Sequence, residues 1–142
     1  MRDLMNHIHT VPLIAPIAAR TDNTAIVSAI IDRRGYDSLV LAIVTGTNTD
    51  ADATFAVLVE DGDNSALSDA AAVDDAELNG TEALAAYAFG DDVECRKIGY
   101  RGSKRYVRVT VTPTGNDAGN IFLAGIAILG HPANAPPANP PQ

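Results

Sequence analysis

Tryptophan is absent from this 142-residue chain, and aromatic residues make up only 5% of it. The hydrophobic share of 46% is therefore mainly Val, Ile, Leu and Ala, which predicts a core of small aliphatic side chains. Sugar-binding surfaces usually use aromatic rings, so their scarcity counts against a carbohydrate-binding role. The length fits a single domain.

Cysteine occurs once, at Cys95, which excludes a disulfide bond within the chain. Long apolar runs are also missing. The N-terminal stretch MRDLMNHIHTV is interrupted by polar residues and does not look like a signal peptide. The most apolar run, residues 121–129, is far shorter than the about 20 residues that a membrane-spanning helix needs. We therefore expect synthesis in the cytoplasm and no contact with a membrane.

Positive charge is missing from residues 51–93, which hold eleven Asp and Glu but no Lys or Arg. Residues 94–113 hold six of the ten Lys and Arg residues. The net charge of -8 argues against a general nucleic-acid binder, because phosphate contacts need a basic surface. Stacking of bases on Tyr100 and Tyr106 beside these basic residues is the less favoured alternative. We expect instead that the basic residues pair with the acidic segment of a neighbouring subunit.

Residues 94–113 predict two strands joined by a turn over residues 101–104. The second strand places Val107, Val109 and Val111 on one face, which is typical of a strand with one buried side. Gly102 in the turn predicts the positive φ angle that a tight hairpin requires.

Further strands are predicted where apolar residues alternate or run together between turn residues, over 24–31, 36–45, 54–60, 83–89 and 121–129. The strand over 36–45 is apolar on both faces, which predicts a central strand covered on both sides. Residues 65–80 predict either a helical turn, with Ser65 or Ser68 as its N-cap, or a long irregular excursion. Together these elements predict an all-β, single-domain antiparallel β-sandwich that is jelly-roll-like, with a barrel as the lesser alternative.

Both ends of the chain are rich in proline. Residues 1–20 contain Pro12 and Pro16 and predict an extended arm, because proline cannot donate a hydrogen bond to a sheet. The sandwich is expected over residues 21–130. Residues 131–142 hold five prolines and predict an extended tail.

Two groups of residues carry spacings that are compatible with metal binding. His7 and His9 lie on one side of an extended arm, but only His131 remains as a further histidine ligand. Asp61 and Asp63 begin a stretch similar to a calcium loop, which lacks the glycine and glutamate that such loops contain. We expect no metal or cofactor.

Catalytic candidates are also few. Cys95 has no local signature of a nucleophile, and the adjacent carboxylates occur in turn-like sequence. Those carboxylates are Asp74, Asp75, Asp91 and Asp92. We expect a protein that is not an enzyme and has no catalytic residues.

Five stretches carry a resemblance: MRDLMNHIH, TDNTAIVSAIIDRRGYDSLVLAIVTG, DADATFAVLVEDGD, IGYRGSKRYVRVTVTP and ILGHP with its proline-rich tail. Together they resemble a small head-region structural protein of tailed bacteriophages and prophages, encoded near the major capsid protein. The resemblance implies a capsid decoration (cement) protein on the capsid exterior of the virion, with the major capsid protein and its own copies, as a homotrimer, for partners. Alternatives are a head-tail connector, a tail component and a carbohydrate-binding module on the virion surface.

The interface of such a protein is predicted in two places, the apolar part of the arm and the basic turn. The predicted interface residues are Leu4, Ile8, Val11, Leu13, Ile14, Arg101, Lys104 and Arg105.

Overall fold

The structure is a computed structural model that describes residues 2–140, and most of its regular elements are strands. Short alternating runs rich in Val, Ile and Thr, separated by Gly, Asn and Asp, favour such strands. The long strands are β1 (Ile8–Ile14), β4 (Tyr36–Asn48), β5 (Thr54–Gly62), β9 (Cys95–Tyr100), β10 (Tyr106–Thr114) and β11 (Ile121–Pro132). The short strands are β2 (Ile26–Val27), β3 (Ile31–Asp32), β6 (Ala71–Ala72), β7 (Leu78–Asn79) and β8 (Tyr87–Ala88). The helical elements are the 3-10 turns Met5–His7 and Asp75–Glu77 and the helix α1 (Glu82–Ala85).

Two antiparallel sheets pack face to face. Sheet A has the strand order β1-β11-β4-β9-β7, and sheet B has the order β2-β10-β5-β6, with β3 beside β10 and β8 beside β5. Val107, Val109 and Val111 of β10 are fully buried in the core between the sheets, opposite residues such as Leu41 and Ile98 of sheet A. The predicted all-β sandwich is confirmed.

The two strands predicted as a hairpin lie in different sheets. β9 pairs with β4 and β7 in sheet A, whereas β10 pairs with β5, β2 and β3 in sheet B. Alternation shows which face of a strand is buried, and both strands do turn apolar residues toward the same core. They reach that core from opposite sides, so the hairpin prediction is wrong.

The loop that crosses between the sheets is held by Arg33 and Tyr100. Nη1 of Arg33 donates hydrogen bonds of 2.8 Å to the carbonyl oxygens of Gly102 and Lys104. The Arg33 guanidinium lies 4.7 Å from the centre of the Tyr100 ring. A Cβ atom on Gly102 would lie 2.4 Å from the Tyr100 hydroxyl oxygen, so this glycine is needed for close packing rather than for a positive φ angle.

The N-terminal residues are not the extended arm that was predicted over residues 1–20. Residues 8–14 form β1 at the edge of sheet A, where they pair with β11. An edge strand tolerates Pro12, since one side of its backbone has no neighbouring strand to bond. The sandwich therefore includes residues that the sequence placed outside it.

Strand β4 lies at the centre of sheet A, as predicted, but is covered on one face only. Leu39, Leu41 and Ile43 point into the core and are about fully buried. On the opposite face Val44 is 46% exposed. The expectation that β4 is covered on both sides is therefore wrong for a single chain.

The segment between β5 and β9 has little regular structure. The helical turn predicted over residues 65–80 is the 3-10 turn at Asp75–Glu77, which is capped by Asp74 rather than by Ser65 or Ser68. The strand predicted over 83–89 is replaced by α1, capped by Thr81, and by the two-residue β8. The alanines there favour a helix, and the Thr81 side chain accepts the Leu84 N–H to begin it.

The C-terminal residues leave the sandwich later than predicted. β11 continues to Pro132, and the Ala133 N–H bonds the Gly35 carbonyl. The remainder of the tail is described to residue 140 and contains no helix or strand over that range. None of the helices within residues 2–140 has the length and hydropathy needed to cross a membrane.

Candidate functional site

The outer surface of sheet A is apolar. Alternation places every second residue of its strands away from the core, and the register aligns them across the sheet: Ile126 pairs with Pro12 and Ala42, and Ala42 pairs with Lys97. We call this surface the A face. Its members are Ile8, Thr10, Pro12, Ser38, Val40, Ala42, Val44, Gly46, Cys95, Lys97, Gly99, Phe122, Ala124, Ile126 and Ile128.

Three large side chains on the A face are open to solvent. Phe122 is 58% exposed, Ile126 is 49% exposed and Val44 is 46% exposed. Scattered apolar residues are common on protein surfaces, but a contiguous apolar sheet face is not. Such a face is typical of a contact surface.

Carboxylates are absent from the outward positions that define the A face, although the chain holds 18 Asp and Glu. Lys97 is the charged member of the face, and it lies on β9 beside Ala42 of β4. The outward positions of β11 and β4 can therefore lose their water without stripping the hydration from a charge, whereas the long Lys97 side chain can keep its ammonium group in water.

A shallow hollow of about 210 Å³ lies at one end of the A face, lined mainly by apolar atoms. Its lining includes Pro16, Val44, Gly46, Phe122 and Ala124. A Cβ atom on Gly46 would lie 3.4 Å from the Phe122 Cβ, so Gly46 and Phe122 are immediate neighbours in the hollow. The hollow has the shape to receive an apolar side chain from a partner.

The predicted interface residues of the arm are mostly used within the fold. Leu13 and Ile14 are 2% and 4% exposed and belong to the core, so they cannot contact a partner. Val11 packs against the same core, and Ile8 is half-buried on the A face. Leu4 is 68% exposed. The apolar residues of the predicted arm therefore belong to an edge strand of the sandwich rather than to a free arm.

The predicted interface residues of the basic turn are paired within the chain. Nζ of Lys104 lies 2.5 Å from the Asp63 carboxylate, and Arg105 lies 2.7 Å from Asp32. No salt bridge among residues 2–140 involves Arg101. The pairing that was predicted between subunits thus occurs inside one subunit for Lys104 and Arg105.

Two further residues of the basic segment, Arg96 and Arg108, are also paired internally. Arg108 of β10 lies 2.9 Å from Glu60 on the neighbouring β5, and this contact lowers the pKa of Glu60. Arg96 lies 2.9 Å from Asp91 and 2.8 Å from Glu94. These pairs join the acidic and basic segments of one chain.

The histidines considered as metal ligands have other contacts. The His9 ring stacks on Tyr36 with centroids 5.4 Å apart, and His131 Nδ1 lies 2.9 Å from the Ser38 hydroxyl. His7 is half-buried beside the start of β1. Within the described part of the chain, no three His, Cys, Asp or Glu residues form a cluster that could hold a metal ion.

The residues of the calcium-like stretch are separated by their partners. Asp61 is buried and accepts a 2.6 Å hydrogen bond from the Tyr100 hydroxyl, whereas Asp63 binds Lys104. Burial and the Asp61 carboxylate raise the pKa of Tyr100. Ser65 is exposed. The carboxylates therefore point to two different structural contacts.

The acidic pairs considered for catalysis also support the local structure. Asp74 caps the 3-10 turn that follows it, Asp91 pairs with Arg96, and Asp92 accepts the Asn48 N–H at 2.8 Å. Asp75 lies in the first turn of that 3-10 helix. Cys95 is exposed on the A face, directly opposite Val44 of β4.

Sequence reasoning missed the role of Asp50. This residue is 4% exposed and accepts hydrogen bonds from the backbone N–H groups of Asp117 and Ala118. The Ala118 bond is the main cause of its lowered pKa, while the pKa of Asp52 is raised by its contact with Asp50. Asp50 therefore fixes the loop before β11, a role that only the fold reveals.

Comparison with known proteins gives only distant likenesses. A scan against protein-family models and a search of curated proteins both find no match. Solved structures with a similar fold include dimeric latent PorU from Porphyromonas gingivalis, with a TM-score of 0.46 and 11% identity over 91% of this chain. The chain spans only 13% of PorU.

Two carbohydrate-binding modules are also similar in fold. The xylan-binding module CBM15 has a TM-score of 0.43 and 12% identity, over 93% of this chain and 95% of the module. The module CBM36, in complex with calcium and xylotriose, has a TM-score of 0.40 and 8% identity, over 84% of this chain and 98% of the module. At such scores and identities, function has to be argued from this chain's own residues.

Proposed function

We propose that the protein is a non-catalytic structural component of a bacteriophage particle, which decorates and stabilises the capsid with the major capsid protein as its partner. The observation that carries the proposal is the A face, an exposed apolar sheet surface without a carboxylate. The resemblance of the sequence to phage head-region proteins supplies the setting. The A face supports contact with another protein more than it supports chemistry on a small molecule.

Stabilisation would follow from buried area. Apolar surface removed from water contributes about 25 cal/mol per Å² to binding, before the entropy of association is subtracted. A single weak contact becomes effective when it is repeated many times on a symmetrical shell. The cost of opening the shell under internal pressure would rise with each bound copy.

The test uses shells assembled from the major capsid protein encoded beside this chain. The purified protein is mixed with undecorated shells, which are sedimented and imaged by electron microscopy. We expect density at regular positions over the capsid surface. Three-fold positions would support the homotrimer that the resemblance implies, and two-fold positions would support a dimer. Density confined to one vertex would favour a head-tail connector, and the absence of bound protein would overturn the proposal.

Carbohydrate binding is the second candidate function, because a groove of about 570 Å³ that carries several polar side chains overlaps the β9 side of the A face. Its lining includes Asp37, Ser38, Asn79, Lys97 and Arg101, whose donors and acceptors suit sugar hydroxyls. The groove offers no exposed aromatic ring for stacking, since its one aromatic residue, Tyr100, is buried. This feature ranks the candidate second.

Xylan is the first glycan to test, because it is the ligand named for CBM15. Affinity electrophoresis in gels that contain xylan would show retardation of the wild-type chain, and Asn79→Ala with Lys97→Ala would abolish that retardation. Equal mobility in gels with and without xylan would count against this candidate for xylan.

A further inference from the structure

We infer that the A face is covered by the A face of a second copy of this chain, so that the protein forms a two-fold dimer packed sheet on sheet. The inference rests on the proposed function, because the dimer would be the unit that binds the shell. It names the second copy as the occupant of the A face, and shell binding then depends on the dimer that forms through this face.

The size of the A face fits a dimer. Four strands spaced about 4.8 Å apart and about nine residues long, at about 3.3 Å each, cover roughly 600 Å². Two such faces bury about 1,200 Å² in total, which is the lower limit for specific protein interfaces. A reversible, concentration-dependent association is therefore expected.

The charge of the chain favours this pairing. Each copy carries a net charge of -8, so two copies repel each other unless they meet where carboxylates are absent. The outward positions of β1, β11, β4 and β9 hold no Asp or Glu. Sheet B, in contrast, presents Glu60 and Arg108 on its outer surface. Burial of this ion pair would cost its hydration, which disfavours the other broad face.

The relief of the A face is compatible with self-pairing. A two-fold interface places the same patch on both partners, so the patch must contain projections as well as hollows. Phe122 and Ile126 project from the face, whereas Ala42, Gly46 and Ala124 leave recesses between the strands. Rotation about a two-fold axis can place the projections of one copy over the recesses of the other.

The test is sedimentation velocity of the purified chain under reducing conditions, from about 1 to about 300 µM. We expect the mass to rise from the monomer value of 14.8 kDa to twice that value as the concentration increases. Val44→Asp, which adds a carboxylate to the A face, should weaken the dimer at least tenfold. Thr112→Asp is the matched control, because this exposed β-branched residue lies on the outer face of sheet B, and it should dimerise like the wild type.

Three results would overturn the inference. They are a monomer at every concentration, a Val44→Asp variant that dimerises as well as the wild type, and a trimer, which buries the face against a different surface of its neighbour. Circular dichroism of both variants shows whether each is folded, and Val44→Thr supplies a milder change if Val44→Asp unfolds. Shell binding is scored separately: a monomer that still binds shells refutes only the dimer, and a dimer that binds no shell refutes only the proposed function.

Discussion

The outer faces of the two sheets differ in chemistry although their inner faces are alike. On sheet B, Thr110 and Thr112 of β10 alternate with core valines, and Arg108 pairs with Glu60 of the adjacent strand. On sheet A, the equivalent outward positions hold residues such as Val44 and Ile126. Both sheets alternate with the same period, so the difference is one of residue type, not of geometry.

The difference indicates a division of labour between the two faces. Outward polar residues on sheet B, such as Thr110 and Thr112, keep most of that face hydrated, although Val27 and Leu58 are exposed beside them. The charges of this sheet are paired within the chain. The outward face of sheet A has neither feature, so its exposure costs free energy that contact with a partner recovers. We therefore assign contacts with other proteins to sheet A.

The proposed difference between the two faces would be refuted most clearly if a carboxylate on either face reduced shell binding equally. Ile126→Asp on sheet A should weaken binding to shells more than tenfold, because docking would bury an unpaired charge. Leu58→Asp, on exposed Leu58 of β5 in sheet B, should leave binding unchanged. Co-sedimentation with shells measures both. Equal losses for the two variants would mean that the faces do not differ in role.

Removing the ion pair on sheet B should lower stability without changing association. Glu60→Ala leaves the half-buried Arg108 without its carboxylate and should cost about 1–3 kcal/mol of unfolding free energy. Urea unfolding measures this loss, and Glu60→Gln is the control that retains the shape of the side chain. A loss of shell binding by a folded Glu60→Ala protein would contradict the assignment of contacts to sheet A.

Acid should also affect stability before it affects association. Hydrogen bonds from Arg108 and Arg105 lower the pKa values of Glu60 and Asp32 in the folded chain. These two carboxylates therefore contribute fully to the free energy of unfolding at pH values above their unfolded pKa values of 4.5 and 3.8. The contribution is lost as the pH falls through their lower pKa values in the folded chain. Urea unfolding at several pH values should show this decline, and Arg108→Gln should reduce it. Association should stay constant over the pH range in which the chain remains fully folded.

The smallest effect is expected at Lys104. Its pair with Asp63 is exposed and screened by salt, so Lys104→Ala should leave both the melting temperature and shell binding unchanged within error. The sequence alone predicted instead that the basic residues of this turn pair with the acidic segment of a neighbouring subunit. A strong, salt-dependent loss of shell binding by Lys104→Ala would show that the basic turn is part of the interface after all.

The sequence predicted the inner face of the sandwich well, because alternation reports burial directly. The valines of β10 are buried as expected, at Val107, Val109 and Val111. Alternation does not report which strand lies alongside, so β9 and β10 were predicted as neighbours although they lie in opposite sheets. Pro12 likewise signals that a segment avoids a sheet interior, but an edge strand satisfies that condition as well as a free arm does.

The sequence already contained the apolar pattern of the A face, but that pattern was taken to predict burial within the chain. Residues 36–45 are apolar on both faces, which predicted full burial of that strand. In the structure, Val44 points outward and is exposed. The second apolar face of this strand is therefore not covered by the chain itself, and only a partner could cover it. The predicted site residues Leu13 and Ile14 belong to the core, since apolar residues alone do not distinguish a core from an interface.

Protection of Cys95 is the most direct test of the A face as the contact surface. This exposed thiol lies on the A face beside Val44, and it is the only cysteine in the chain. Its rate of alkylation by a maleimide is compared for free protein, diluted until sedimentation velocity gives the monomer mass, and for protein bound to shells. The account predicts at least a tenfold slower reaction in the bound state. An equal rate in both states would show that the A face stays open to solvent, which would contradict the central claim.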